Sequence, residues 1–241
     1  MALESAGSIG FGSCNRQNFK QDFWGKIQRH NLSTWIWTGD AFYSKNKSLA
    51  GQSEAILNLT SNESYQLFAK SLNVFGVWDD HDFGINDGGK YVPNYSIRRR
   101  NYINFLNSTA IINEDSRGLY TSKIVELNAS ESKHNVKIIL LDTRSFREDP
   151  FFPAIGTLDF PFSALAGAAA RALAPLLRLG LNHSGDMLGE EQWHWLANEL
   201  HDSKAHFHVI ISSIQVHSIY SCYDRSALCL GPNQRCVYCR Y

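Results

Sequence analysis

Four clusters of residues able to do chemistry recur along the sequence, each placed directly after a short apolar run. Ser8–Ser13 leads into Cys14, and Thr34–Thr38 into Gly39-Asp40. Asn73–Trp78 leads into Asp79-Asp80-His81-Asp82, and Val136–Leu141 into Asp142. An acidic residue at the end of an apolar run is, taken singly, as readily a helix cap or a loop former. Several carboxylates brought together repel one another unless protonated or bridged by a cation, so metal is the simplest explanation of the joint pattern. Carboxylate, imidazole and thiolate together suit a transition metal paired with a harder cation. Two cations about 3.5–4 Å apart would orient a phosphate and acidify a water for in-line attack. Phosphate esters are the natural substrate, because their hydrolysis demands charge neutralisation more than covalent chemistry.

The elements that must position these residues follow from hydrophobic periodicity. The four apolar runs read as strands, and ligand sites in open α/β sheets form where loops converge at strand carboxyl ends. Helical spacing covers Asn18–His30 through Phe19, Phe23, Trp24 and Ile27, then Ser64–Lys70, and then Tyr95–Leu106 with a basic face through Arg98, Arg99 and Arg100. Those arginines form either a solvated face or a substrate funnel. Gly118–Leu127 has the alternation of an antiparallel strand, Leu188–Leu200 is a helix with Trp193, Leu196 and Leu200 on one face, and Phe207–Ser212 is a last strand. Alternation of strands and helices without a linker or repeat predicts one layered α/β domain over 1–217, with an insertion at about 151–186 and a Cys-rich tail over 218–241.

The 241 residues carry 23 basic and 23 acidic side chains, so no basic excess marks a nucleic-acid-binding surface. A hydrophobic fraction of 44% with 12% aromatic residues supports a packed core and excludes a disordered chain. MALESAG at the start has neither the basic nor the apolar region of a secretory leader. Yet eight Asn-x-Ser/Thr sequons occur, at Asn31, Asn46, Asn58, Asn62, Asn94, Asn107, Asn128 and Asn182. That density points to a luminal or secreted glycoprotein, with a polar cytoplasmic protein as the alternative.

Of five Cys, four crowd the end, at Cys222, Cys229, Cys236 and Cys239. Spacings without a neighbouring His make a weak zinc signal, and an alternative chain end is the simpler reading. The apolar stretch 162–181 approaches membrane-span length but contains Arg171, Pro175 and Arg178. A charge near the middle of a span is costly, so core or subunit packing, or contact with a membrane surface, is expected instead.

Six ordered blocks carry a family resemblance. They are Gly12-Ser13-Cys14, Gly39-Asp40-Ala41-Phe42-Tyr43, Trp78-Asp79-Asp80-His81-Asp82-Phe83 with Asn86-Asp87, Leu141-Asp142-Thr143-Arg144 with Arg147, Leu188-Gly189-Glu190-Glu191-Gln192-Trp193, and Ile211-Ser212-Ser213-Ile214-Gln215-Val216. Over roughly residues 8–216 the sequence resembles PhoD-type alkaline phosphatases of the calcineurin-like metallophosphoesterase superfamily. The resemblance implies a four-layer α/β/β/α sandwich and two or more metal ions, iron with calcium in this family and zinc, manganese or magnesium elsewhere in the superfamily. It implies Cys14 as an iron thiolate, Asp40 as a bridging ligand, Tyr43 as a phenolate ligand, and Asp80 and Asn86 at further metal positions. By the same match His81 is the transition-state histidine, Asp82 orients its imidazole, and Arg144 clamps phosphate. A second reading of Arg144 is an ion pair with Asp142 or Asp149. The family pattern ends in a Gly-Asp-Val-His block that this sequence lacks after Gln215. The expectation is therefore a phosphatase incomplete on its C-terminal side, with impaired hydrolysis. The alternative is a non-catalytic binding protein on the same scaffold.

Overall fold

The strands, in chain order, are β1 (Ser5–Ala6), β2 (Ser8–Gly12), β3 (Leu32–Thr38), β4 (Asn73–Val77), β5 (Thr121–Ala129), β6 (Ser132–Leu141) and β7 (Phe207–Ser212). In this computed structural model, residues 5–6, 8–106, 117–129, 132–148 and 186–214 are described, with the isolated positions 166, 169 and 173. The strands form two sheets, one of order β2-β3-β4 and the other of order β1-β5-β6-β7. The first sheet is all parallel; in the second, β5 and β6 are antiparallel and β7 runs parallel to β6. A mixed α/β architecture results.

Helices α1 (Trp24–Gln28), α2 (Leu49–Thr60), α3 (Glu63–Lys70), α4 (Asp80–Phe83), α5 (Tyr95–Leu106) and α6 (Gly189–His201) complete the described elements. β3 is buried from Thr34 to Trp37 on both faces, as expected of a central parallel strand. Trp35 and Trp37 meet Trp24, Tyr65 and Phe68 in tilted and edge-on ring contacts with centroids 4.9–6.4 Å apart. The indole Nε1 of Trp37 donates to the Tyr65 hydroxyl, so this aromatic core also satisfies a buried polar group.

β6 is buried on both sides through strict alternation. Val136, Ile138 and Leu140 join the main core with Trp37, Phe75 and Val77, while Ile139 and Leu141 pack with Leu188 and Leu196 at α6. The two sheets thus share one core. The carboxyl ends of β2, β3, β4 and β6 are left to carry the loops.

The expected strands and the helices over 95–106 and 188–200 are present, with ends moved by a few residues. The helix expected over Asn18–His30 is shorter, because its first turn is diverted into a loop. Gln17 donates to the Tyr43 carbonyl and accepts from the Tyr43 N–H, and Gln21 reaches back to the Arg16 carbonyl. α2 was not anticipated; Ser48 caps it by accepting from the Gly51 N–H, and Ala55 and Leu59 face the core. The basic face expected on α5 is corrected at Arg98, while Arg100 is exposed. Arg98 is buried, and its guanidinium donates to the carbonyls of Pro93, Phe83 and Lys47, tying α5 to two loops. Its role is architectural.

Residues 151–185, and the chain from Gln215 onward including the Cys-rich tail, lie outside the described residues apart from the three isolated positions. The stretch 162–181 and the sequon at Asn182 fall there, and the sequon at Asn107 falls in 107–116, which is likewise outside the described residues. Among the described residues no helix is long and apolar enough to cross a membrane.

Candidate metal centre

β3 ends in a left-handed turn in which Gly39 has φ +107° and Asp40 φ +53°. The same conformation ends β2 at Cys14, φ +55°. The Asn15 N–H donates to the Asp40 carbonyl and the Asn15 side chain to the Ala41 carbonyl, so the two post-strand loops are laced together. Non-glycine residues adopt this conformation at a cost, and such residues concentrate at functional sites. Here the turn swings Asp40 toward the end of β4.

A Cβ on Gly39 would stand 2.8 Å from the Cβ atoms of both Asp79 and Ser213, where strand ends of the two sheets meet. Gly39→Ala therefore combines a disfavoured backbone with a collision, and a loss of about 2–4 kcal/mol is expected. Urea unfolding of the purified chain measures it.

Asp40, Asp80 and His81 each offer a ligand atom, and these atoms all lie within 4.8 Å of one another. Both carboxylates are buried, while the imidazole is a third exposed. The Tyr43 hydroxyl donates to Asp40 Oδ2 at 2.8 Å, and its ring lies 4.2 Å from the His81 ring. The Tyr43 hydroxyl also interacts with the Cys14 thiol, which places Cys14 at the outer edge of the same group. Asn86 is close in sequence but its amide donates to Asp87, whose own N–H donates to Asp80 Oδ2. The strand ends therefore bring together Asp40, Asp80, His81 and Tyr43, with Cys14 beside them and Asn86 one step removed.

Burial pushes the Asp40 carboxyl above its usual range despite the Tyr43 hydrogen bond and the nearby His81. Asp79 rises for the same reason, with Arg144 only partly offsetting burial, and Asp82 rises further, through burial and then the charge of Asp40. Burial and the bond to Asp40 likewise hold the proton on Tyr43. A cation would reverse each of these effects, because it favours the ionised carboxylate and phenolate. Crowded, desolvated acids with two half-open donors fit a cation.

Two expectations need correction. The Asp82 carboxylate is fully buried and accepts from the backbone N–H groups of Phe42 and Asp79, so it fastens the loops after β3 and β4 rather than orienting the His81 imidazole. Arg144 is paired, but not with Asp142 through its guanidinium, and Asp149 lies outside the described residues. Its Nε lies 2.5 Å from Asp79 Oδ1 and its terminal nitrogen 3.9 Å from Asp80 Oδ2, while Asp142 accepts only from its backbone N–H. Burial opposes the Arg144 charge, yet Asp79 and Asp80 together outweigh it and raise its pKa. Asp79 is the residue that sequence reasoning passed over; the run Asp79-Asp80-His81-Asp82 contained it without indicating which carboxylate meets the arginine.

Comparison with known proteins supports part of the sequence resemblance. Residues 134–229 match the PhoD-like phosphatase family model. That stretch is less than half of the chain; it contains most of β6, Asp142, Arg144 and α6 but not Asp40, Asp80 or His81, whose grouping stands on geometry. No curated protein matches the chain. A solved structure of PhoD aligns with 87% of this chain and 42% of its own length, at 16% identity and a TM-score of 0.49. The chain thus spans less than half the length of the PhoD structure it matches.

Proposed function

We propose that this chain is a metal-dependent phosphoesterase of the PhoD type, with its reaction centre at the ends of β2, β3 and β4. The observation that carries the reading is the convergence of Asp40, Asp80 and His81 within 4.8 Å, on loops of separate strands. Asp40 and Asp80 would hold the cation, with Tyr43 and Cys14 beside Asp40 and Asn86 at the periphery. Iron with calcium is the metal pair the resemblance favours; zinc, manganese and magnesium suit the same oxygen and nitrogen donors. A bound cation supplies Lewis acidity, neutralising phosphoryl charge and lowering the pKa of water.

The remaining steps belong to the protein. The left-handed turn fixes Asp40, and α4 with the Asp87 N–H fixes Asp80, so neither carboxylate needs reorganisation when substrate arrives. Asp82 and Arg144 hold the loops behind them. His81, half open at the rim and braced against Tyr43, is placed to pass a proton to the departing oxygen. Replacing it by Ala should lower kcat about 100-fold or more, the range of general acid catalysis. Metal stoichiometry should stay unchanged; loss of metal with the imidazole would make His81 a ligand instead.

Acidity makes a separate prediction. Protons compete with the cation for Asp40, so metal affinity should climb as pH rises through its elevated pKa and level off above. Stability of the metal-free chain should run the other way. Asp40, Asp79 and Asp82 bind protons more tightly folded than unfolded, so their stabilising contribution is complete below the unfolded value of about 4 and is lost as pH rises through their raised values. Thermal unfolding between about pH 4 and 9, with and without Mn²⁺, measures both trends.

We also propose the four-layer α/β/β/α arrangement, which the two-sided burial of β6 between the shared core and α6 supports. A luminal, glycosylated form is consistent with the exposed sequon residues Asn31, Asn58 and Asn94. The experiment for the central reading is hydrolysis of p-nitrophenyl phosphate by the purified chain with added Fe, Ca, Mn or Zn.

A further inference from the structure

We propose that Arg16 and the aromatic-walled cleft beside it form the substrate subsite, Arg16 taking a phosphoryl oxygen and the cleft a flat apolar group such as an aryl ring. This rests on the phosphoesterase reading and adds to it a substrate class.

A phosphate clamp must be accessible and must not already be neutralised. Arg144 fails on both counts, being buried and paired with Asp79. Arg147 lies 3.9 Å from Asp87, and Lys20 is paired with Asp22. Arg16 is exposed and forms no ion pair among the described residues. Its guanidinium lies 4.8 Å from the centre of the Tyr43 ring, the same ring that contacts His81 and whose hydroxyl bonds Asp40. A guanidinium resting on an aromatic face keeps its fork of N–H donors free for phosphate oxygens.

The backbone presents Arg16 outward. Its neighbours Asn15 and Gln17 are buried and bonded to the loop at Ala41 and Tyr43. The Arg16 carbonyl accepts from the Phe19 N–H and from Gln21. The backbone is thus fixed, and the contact with the Tyr43 ring limits the freedom the side chain loses when a ligand arrives.

Arg16 and Cys14 also line a cleft of about 280 Å³, with Phe19, Phe23 and Trp35 among its other lining residues. Phe19 is 69% and Phe23 38% exposed, so both rings offer uncovered apolar surface at the cleft. At Gly12 a Cβ would stand 2.6 Å from the Trp35 ring, so glycine is what lets the indole lie against β2. An apolar cavity of about 150 Å³ is enough for benzene, so one aryl group fits here. The occupant is set by continuity: Cys14 and Arg16 line the cleft and both meet Tyr43, whose hydroxyl bonds Asp40, so a phosphoryl group at the cluster directs its organic substituent into the cleft.

The test uses non-hydrolysable probes on the full chain, phenylphosphonate and methylphosphonate, by calorimetry with and without Mn²⁺. Phenylphosphonate should bind about tenfold more tightly than methylphosphonate, the increment expected for burying part of one ring. Arg16→Gln should weaken both by about 10-fold or more, as loss of charge-assisted hydrogen bonds does, with Arg16→Lys intermediate. Phe19→Ala should weaken phenylphosphonate alone. Both positions are exposed, and an unchanged melting temperature will show that the variants fold. Equal affinities for the two probes, or Arg16→Gln affinities within about twofold of the parent, would overturn the proposal. These readings need no turnover. Absence of hydrolysis with any cation counts against the phosphoesterase reading, while the phosphonate affinities decide this one.

Discussion

Asp40→Asn should abolish metal-supported hydrolysis, lowering kcat/KM by about three orders of magnitude or more, while leaving the fold intact. The loss follows from position. Asp40 is the point at which the Tyr43 hydroxyl, the His81 backbone N–H and the ligand atom of Asp80 converge. On the proposed function, removing its charge would remove a ligand, and a centre working by Lewis acidity would forfeit several kcal/mol of transition-state stabilisation with it. The fold survives because asparagine tolerates the left-handed conformation at φ +53° as well as aspartate does. Its carbonyl oxygen can still accept one of the two hydrogen bonds. The metal-free variant should be at least as stable as the parent near neutral pH, since it no longer buries an ionised carboxylate. Metal titration followed by thermal unfolding and by turnover measures all three effects. A variant that loses activity by unfolding would not separate ligand from scaffold, which is why Asn is preferred to Ala.

The second large effect concerns stability. Arg144→Ala should cost about 3–5 kcal/mol, the penalty for stripping one member from a buried ion pair and leaving the other uncompensated. The guanidinium is only 5% exposed and sits among Asp79, Asp80 and the Gly88 carbonyl. Its loss leaves Asp79, already raised by burial, without its principal counter-charge. Arg144→Met combined with Asp79→Asn should recover much of the deficit, because removing both partners is far less costly than removing one. Chemical unfolding of Arg144→Met, Asp79→Asn and their combination gives the coupling directly. If Arg144 were instead a solvent-facing phosphate clamp, its replacement would leave stability within about 0.5 kcal/mol and affect substrate binding alone.

These two residues show what the sequence could and could not reveal. Asp40, Asp80 and His81 were legible because each follows a strand whose apolar run is short and sharply bounded, and parallel strands deliver their carboxyl ends to one edge. The strands and α5 were legible for the same reason, through clean periodicity. Asp82 and Arg144 were legible as participants but not in their roles. Whether a carboxylate faces a cation or a backbone N–H depends on loop conformation, here the left-handed turns at Cys14 and Asp40, which leave little mark on residue type. Arg98 misled because arginine at the end of a basic triplet reads as solvated, yet three carbonyls in adjoining loops required a buried donor. α2 was hidden by Gly51, Asn58 and Thr60, which dilute its apolar face. Arg16 had no signal beyond its place after Cys14-Asn15; its importance emerges only when Arg144 is seen to be occupied.

The most direct measurement is cation binding and p-nitrophenyl phosphate turnover by the chelator-stripped chain, compared side by side with Asp40→Asn. Restored turnover and at least one tightly bound cation per parent chain, both lost in the variant, are the expected result. A parent chain that binds no more cation than the variant, or that turns over substrate equally well after stripping, would contradict the account.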